Sequence, residues 1–297
     1  MIGSPFLAGR DRYERVMEGW VDSGRDETFT HTVQITDPDG GVEVSLVCTP
    51  SPGYEVRAAG ARVRSGAADP GIAADLPELA GTRMVGGFGK RLAELCGARP
   101  GAVLFVDAGI EVARLARQVT KLPAAAIAGL DPGDAVACWR LDTTGWVDLP
   151  DSCFTYSPAG HALFGTRPVS TPMVPTLYSP PPGAPKIFTR RKVARLVLTA
   201  PRLHLFHSMH DNVHGFDLHY EVDLDRGVIV AADSVTSRLP YAGICNEPQA
   251  RIKSLLEQPA DAQLRKRIQS LIGGSSGCAQ LYDLTADLLK LLSLPVS

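Results

Sequence analysis

Internal repetition, period-two strands and leucine-striped helices predict an α+β fold for this 297-residue chain. The expected unit is a small antiparallel sheet covered by helices, present twice in tandem about a pseudo-twofold axis. Residues 90–107 align without a gap on residues 266–283, sharing a Lys-Arg pair, a run of apolar positions, Gly101 with Gly277, and Asp107 with Asp283. Upstream, Gly41-Val-Glu-Val-Ser-Leu-Val matches Gly215-Phe-Asp-Leu-His-Tyr-Glu. Each leads through a Gly-containing turn to a strand ending Ala-Ala, at 58 and 59 and at 231 and 232. The chain therefore divides into a degenerate N-terminal repeat (1–120, matching from about residue 25), a middle segment (121–185) and a C-terminal repeat (186–297).

In chain order, the middle segment comes after the first repeat and is irregular. Its Ala-rich start (124–128) gives way to Trp139, Trp146, Phe154 and Tyr156 and then to Ser179-Pro-Pro-Pro-Gly183. Proline and glycine disfavour a long regular element, while the aromatics argue against a free linker. A strap over both repeats, with those four aromatics buried, is expected. In the second repeat a strand is expected within Ala194–Phe206, interrupted by Pro201. Phe216, Leu218, Tyr220, Val222 and Leu224 then alternate with polar residues, the period of a half-buried strand. Asp225-Arg226-Gly227 turns the chain into an antiparallel partner, Val228–Val235. Asn246 reads as an N-cap before Ile252, Leu255 and Leu256; Leu264, Ile268, Leu271 and Ile272 stripe a second helix. After Gly273–Gly277, a last helix carries Leu281, Leu284, Leu288, Leu291 and Leu292.

Composition bounds the class. A formal charge of -2 leaves no basic excess for phosphate neutralisation, so no nucleic-acid partner is expected. The run Thr189-Arg190-Arg191-Lys192 reads as a solvated strand start or as the holder of one anionic group. No segment approaches the apolar length that crosses a bilayer, and the start of the chain lacks an export signal. Six cysteines are scattered singly, which fits reduced thiols in a cytoplasmic protein. A homo-oligomer is left open.

Chemistry concentrates in the second repeat. His207, His210, Asp211 and His214 fall within eight residues, a supply of imidazole and carboxylate suited to a metal or to proton transfer. The first repeat has Thr32–Gly40 there, with only His31 nearby. Cys245 lacks a cysteine counterpart, and Cys278 faces Ala102 in the alignment. Cys278 follows a Gly/Ser loop at an expected helix N-terminus, where the helix dipole favours a thiolate. Asp283 and Asp287 are expected to be solvated, although Asp107 at the position matching Asp283 suggests a structural role. Val85-Gly-Gly-Phe-Gly89 lacks the preceding strand of a phosphate loop.

His210-Asp211, Leu239-Pro-Tyr-Ala-Gly-Ile-Cys245 and Gly277-Cys278 resemble the bacterial family known as domain of unknown function 2889, over about Phe188 to Leu292. That family often has a histidine two residues after the last cysteine, where this chain has Gln280. The order loop, hairpin, cysteine, helices, cysteine also resembles the IscU and NifU iron–sulfur scaffold fold. By position, the metal-binding motifs of that fold fall near His210 and Asp211, on Cys245 and on Cys278. The resemblance implies a ligand set of His210, Asp211, Cys245 and Cys278 for zinc or iron, and a bacterial catabolic setting. The expected activity is a metal-dependent lyase, hydratase or hydrolase acting on a small organic substrate, with aromatic or alicyclic acids favoured. His207 or His214 would serve as an alternative ligand or as general base, with Tyr241 and the aromatic strap shaping an apolar pocket. The alternative is a metal- or cluster-carrying accessory protein or a non-catalytic binding module.

Overall fold

In a computed structural model of the chain, residues 3–7 and 9–292 are described. Four strands come first: β1 (Arg12–Ser23), β2 (Phe29–Asp37), β3 (Gly40–Cys48) and β4 (Val56–Gly66). Helices α1 (Pro70–Asp75), α2 (Phe88–Cys96) and α3 (Ala102–Leu115) follow. The middle segment contributes α4 (Ala124–Ile127), α5 (Ala135–Gly145), α6 (Pro158–Ala162) and α7 (Pro175–Tyr178). Strands β5 (Phe188–Thr199), β6 (Arg202–Asp211), β7 (Gly215–Asp223) and β8 (Val228–Arg238) precede α8 (Leu264–Ile272) and α9 (Ala279–Leu289).

The strands form one antiparallel sheet in the order β4-β3-β2-β1-β5-β6-β7-β8. Two small sheets were expected, and the difference lies at β1 and β5. Each is the inner edge of a four-stranded meander whose free backbone donors and acceptors need partners, and they pair with each other from Arg12 opposite Val197 to Val21 opposite Phe188. The two meanders also break register at matching places. The β3–β4 ladder shifts between Gly41 and Val42 and between Val47 and Cys48, and the β7–β8 ladder between Gly215 and Phe216 and between Glu221 and Val222. The expected strand across Pro201 is two strands, with Pro201 in the turn between β5 and β6, where its missing N–H costs no ladder bond.

Alternation sorts the faces. On β1, Tyr13, Met17 and Val21 point inward and are buried, while Glu14, Glu18 and Trp20 face the other way. Helix α3 packs on β1, β2 and β3, and α9 packs on β6, both on the inward face. The outward face stays half-exposed. The expected helix after Asn246 is a 3-10 segment, Glu247–Leu255, and the Asn246 side chain accepts from the Gly243 N–H instead of capping it.

Charges tie α3 to α9. Arg114 bonds Asp283 at 3.1 Å and Asp287 at 2.6 Å, and Lys290 answers with Asp107 at 3.2 Å. Lys192, inward on β5, reaches Glu111 at 2.7 Å. Asp287 is therefore not solvated, contrary to expectation, because the seam between the helices covers it, while Asp283 stays partly exposed and paired with Arg114. Of the strap aromatics, Trp146 is fully buried, while Trp139, Phe154 and Tyr156 are half-buried against the core. The strap touches both halves, through Arg117 to Asp148 at 2.8 Å and through the Phe154 N–H to the Gly277 carbonyl at 2.9 Å.

Candidate functional site

Two inward arginines set up corresponding turns. In the first half, Arg15 on β1 meets Asp37 at the end of β2 at 3.4 Å. Asp37 accepts from the N–H groups of Asp39 (3.0 Å) and Gly40 (3.1 Å). In the second half, Arg190 on β5 meets Asp211 at the end of β6 at 2.7 Å. Asp211 accepts from Val213 (2.7 Å) and His214 (2.6 Å). The aspartate holds the strand turn in both halves. What the second half adds is the imidazole of His214, whose Nδ1 lies 3.2 Å from both Asp211 oxygens.

Burial alone would raise the Asp211 carboxyl. The hydrogen-bonded His214 ring, the Arg190 charge and the turn N–H groups outweigh it and hold Asp211 well below the usual carboxylate range. An ionised Asp211 only accepts, so Nδ1 of His214 carries a proton and Nε2 is left as the free ring nitrogen. His214 lines a cavity of about 120 Å³ together with Cys153, Cys245, Cys278, Asp142 and Trp146.

Each wall group has a local cause. Cys245 ends the tight turn after Tyr241, its N–H donating to the Tyr241 carbonyl at 2.8 Å, and its Sγ lies 2.9 Å from Thr155 Oγ1 on the strap. Cys278 is the N-cap of α9, its Sγ 3.5 Å from the Leu281 N–H. Gly277 before it cannot carry a side chain, since a Cβ would meet the Ile272 carbonyl oxygen at 2.1 Å. Burial pushes the Cys278 thiol up, and the backbone and Gln249 hydrogen bonds offset only part of that. The thiolate expected from the helix dipole is thus opposed by desolvation. Burial likewise raises Cys245, and lifts Cys153 to about 11.

Asp142 on α5 accepts from three tyrosines: Tyr156 at 2.7 Å, Tyr178 at 2.7 Å, and Tyr241. Burial raises it to about 6 against the pull of those hydroxyls. The indole Nε1 of Trp146 is buried and has no partner among the described residues.

Three of the residues singled out in the sequence, His214, Cys245 and Cys278, line this one cavity. Asp211 stands behind His214, and Tyr241 acts through Asp142. His207 and His210 are elsewhere. His207 points inward on β6 and bonds the Leu284 carbonyl of α9 at 2.8 Å, with burial lowering it to about 4. His210 points to the outward face, 3.2 Å from Asp217. Adjacent residues of a strand face opposite ways, so His210 and Asp211 cannot share a ligand. Both Asp211 oxygens are also already engaged. Among the described residues, no three of His210, Asp211, Cys245 and Cys278 bring ligand atoms within 4.8 Å of one another. The expected zinc or iron ligand set is not assembled.

Sequence reasoning placed Trp146 in an aromatic strap that shapes a pocket and Arg190 in a run that holds one anionic group, but missed Asp142 and Cys153. Asp142 lies on the short helix α5 and Cys153 in irregular chain, and no periodicity marks either. Arg190 was visible as the alternate member of the basic run, inward where Arg191 is outward. The first half has a hollow in the matching place, about 470 Å³, lined by Gly40, Ala67, Ala68, Gly101 and Ala102. Its wall has Gly40 where the cavity has His214, and Ala102 where it has Cys278.

Residues 200–292 match the model of a family described as "Protein of unknown function (DUF2889)". That bears out the resemblance drawn from His210-Asp211, Cys245 and Gly277-Cys278. No curated protein and no solved structure matches the chain. Among the described residues, no helix is long and apolar enough to cross a membrane.

Proposed function

We propose that the chain is an enzyme of lyase, hydratase or hydrolase type that takes a small, mainly apolar acid or carbonyl compound into the His214–Cys278 cavity. The observation that carries this reading is the convergence there of His214, Cys245 and Cys278, groups that the first half lacks. A cavity of about 120 Å³ is close to the roughly 150 Å³ that holds benzene in an apolar core. The substrate is therefore expected to present an aromatic ring or a branched or alicyclic group of that size.

In this reading His214 is the general base, oriented by Asp211 with Nε2 toward the substrate. The imidazolium that forms is stabilised by Asp211 on one side and by the nearby Asp142 carboxylate on the other. The N–H groups opening α9 receive the substrate oxygen. Cys278 offers a thiol at the same helix end. The setting is the reducing cytoplasm, consistent with six unpaired cysteines. No nucleic acid or membrane enters the reading.

No step is routed through zinc or iron, because the ligand set inferred from the resemblance does not fit. A metal- or cluster-carrying accessory role is the second reading, favoured by Cys153, Cys245 and Cys278 lining one cavity with His214. The test is a thermal-shift screen of benzoate, cyclohexanecarboxylate and their aldehydes, with elemental analysis of untagged protein. Stabilisation by at least one of these compounds, lost in His214→Gln, is expected. Iron or zinc lost in Cys278→Ser, with no response to any of the compounds, would favour the carrier.

A further inference from the structure

The outward face of the sheet carries a second cluster, on the side away from the cavity. His204 on β6 is directly opposite Glu221 on β7, and His219 lies two residues before Glu221 on the same face. The His204 Nδ1 is 3.4 Å from the Glu221 Oε1. The His219 ring stacks against that of His204, with centroids 6.1 Å apart and planes inclined by 24°. One ring nitrogen of each histidine and one Glu221 oxygen lie within 4.8 Å of one another, and among the described residues no other three His, Cys, Asp or Glu donors are so gathered.

We propose that His204, His219 and Glu221 form a binding site for a divalent transition-metal ion of the zinc class. The inference is independent of the cavity reading. Two imidazoles and a carboxylate are a donor set that zinc accepts, with one position left for water. Their backbones belong to strands paired on both sides, so the three donors are held in place before an ion arrives. Zinc bonds of about 2.0 to 2.2 Å place neighbouring donors roughly 3.5 Å apart, so modest side-chain rotations close the present spacing. The fold makes little use of these groups. They are half-exposed, and among the described residues no hydrogen bond engages the His219 side chain. Among the described residues, the neighbouring cations are already paired: Arg202 with Asp223, and Arg195 with Glu14 and the Phe206 ring. Asp233 stands opposite His219 on β8 and brings a second carboxylate to the same patch, bonded to Lys253.

Calorimetric titration of untagged, metal-free full-length protein with Zn2+ tests the site. Tight uptake of one ion is expected, weakened at least about tenfold in His219→Ala and in Glu221→Gln. It should be unchanged in the double variant Cys245→Ser/Cys278→Ser. In the unmodified protein, Co2+ should shift the imidazole proton signals of His204 and His219 and spare that of His207. Failure to take up an ion overturns the proposal and leaves the cavity reading intact, whereas uptake that survives His219→Ala and disappears in the cysteine double variant overturns the proposal and moves the cavity toward the metal-carrying role.

Discussion

His214 and Cys278 occupy positions where the first half has Gly40 and Ala102, so the same turn and helix start form without either side chain. Cys278→Ala is accordingly expected to change stability by less than about 1 kcal/mol in urea unfolding, while abolishing ligand-induced stabilisation. Arg190 is different. It is buried against an ionised Asp211, so Arg190→Met strands a buried carboxylate and should cost about 3 to 5 kcal/mol. A cost near zero would mean that the pair does not hold the turn. Another buried histidine gives a pH signature. His207 is lowered from 6.5 to about 4 in the fold, so the unfolded chain takes the proton first as the pH falls. Its contribution is whole above pH 6.5 and is lost as the pH drops from there toward 4, by up to about 3 kcal/mol. His207→Leu should flatten the stability curve between those pH values, and an unchanged slope would contradict the burial of the neutral ring.

At the scale of elements, the start of α9 controls the cavity. Gly277 lets the chain fold back under Ile272, and its carbonyl receives the Phe154 N–H, so strap and helix meet at one residue. Gly277→Ala should cost about 1 to 3 kcal/mol through the forced shift and should also loosen the strap, giving faster protease cleavage near Phe154. Cleavage unchanged from the parent protein would show that the strap is held elsewhere. The hairpin and helices of the second half were legible because period-two alternation and leucine spacing encode burial directly. The helix pairs 88–96 with 264–272 and 102–115 with 279–289 fall where the 90–107 alignment places them. Side-chain direction was the weak point. Grouping His207, His210, Asp211 and His214 by sequence distance ignored the strand that runs through them, and a strand sends neighbours to opposite faces. Asp142 was illegible because its role depends on contacts with Tyr178 and Tyr241, far along the chain.

For the whole molecule, the hairpin and the helices that follow it were legible, but β1 was not read, β5 and β6 were read as one strand, and nothing signalled that the meanders share one sheet, since edge pairing is made by backbone groups common to every residue. The pairing of β1 with β5 has consequences for autonomy. Cut free, residues 186–297 would expose the full edge of β5 with its row of unpaired N–H and C=O groups. Lys192 would lose Glu111, and Asp283 would lose Arg114, leaving polar groups of the seam without partners on an otherwise apolar face. Asp287 would keep only partners from its own half. The cavity would also lose Asp142, Trp146 and Thr155, which the strap supplies. The fragment 186–297 is therefore expected to aggregate or to pair with a second copy through β5, whereas the intact chain should unfold in a single urea transition with coincident near- and far-UV signals. A monomeric 186–297 fragment with native-like dispersion of its amide signals would show that the continuous sheet is dispensable, and that the second half is a domain in its own right.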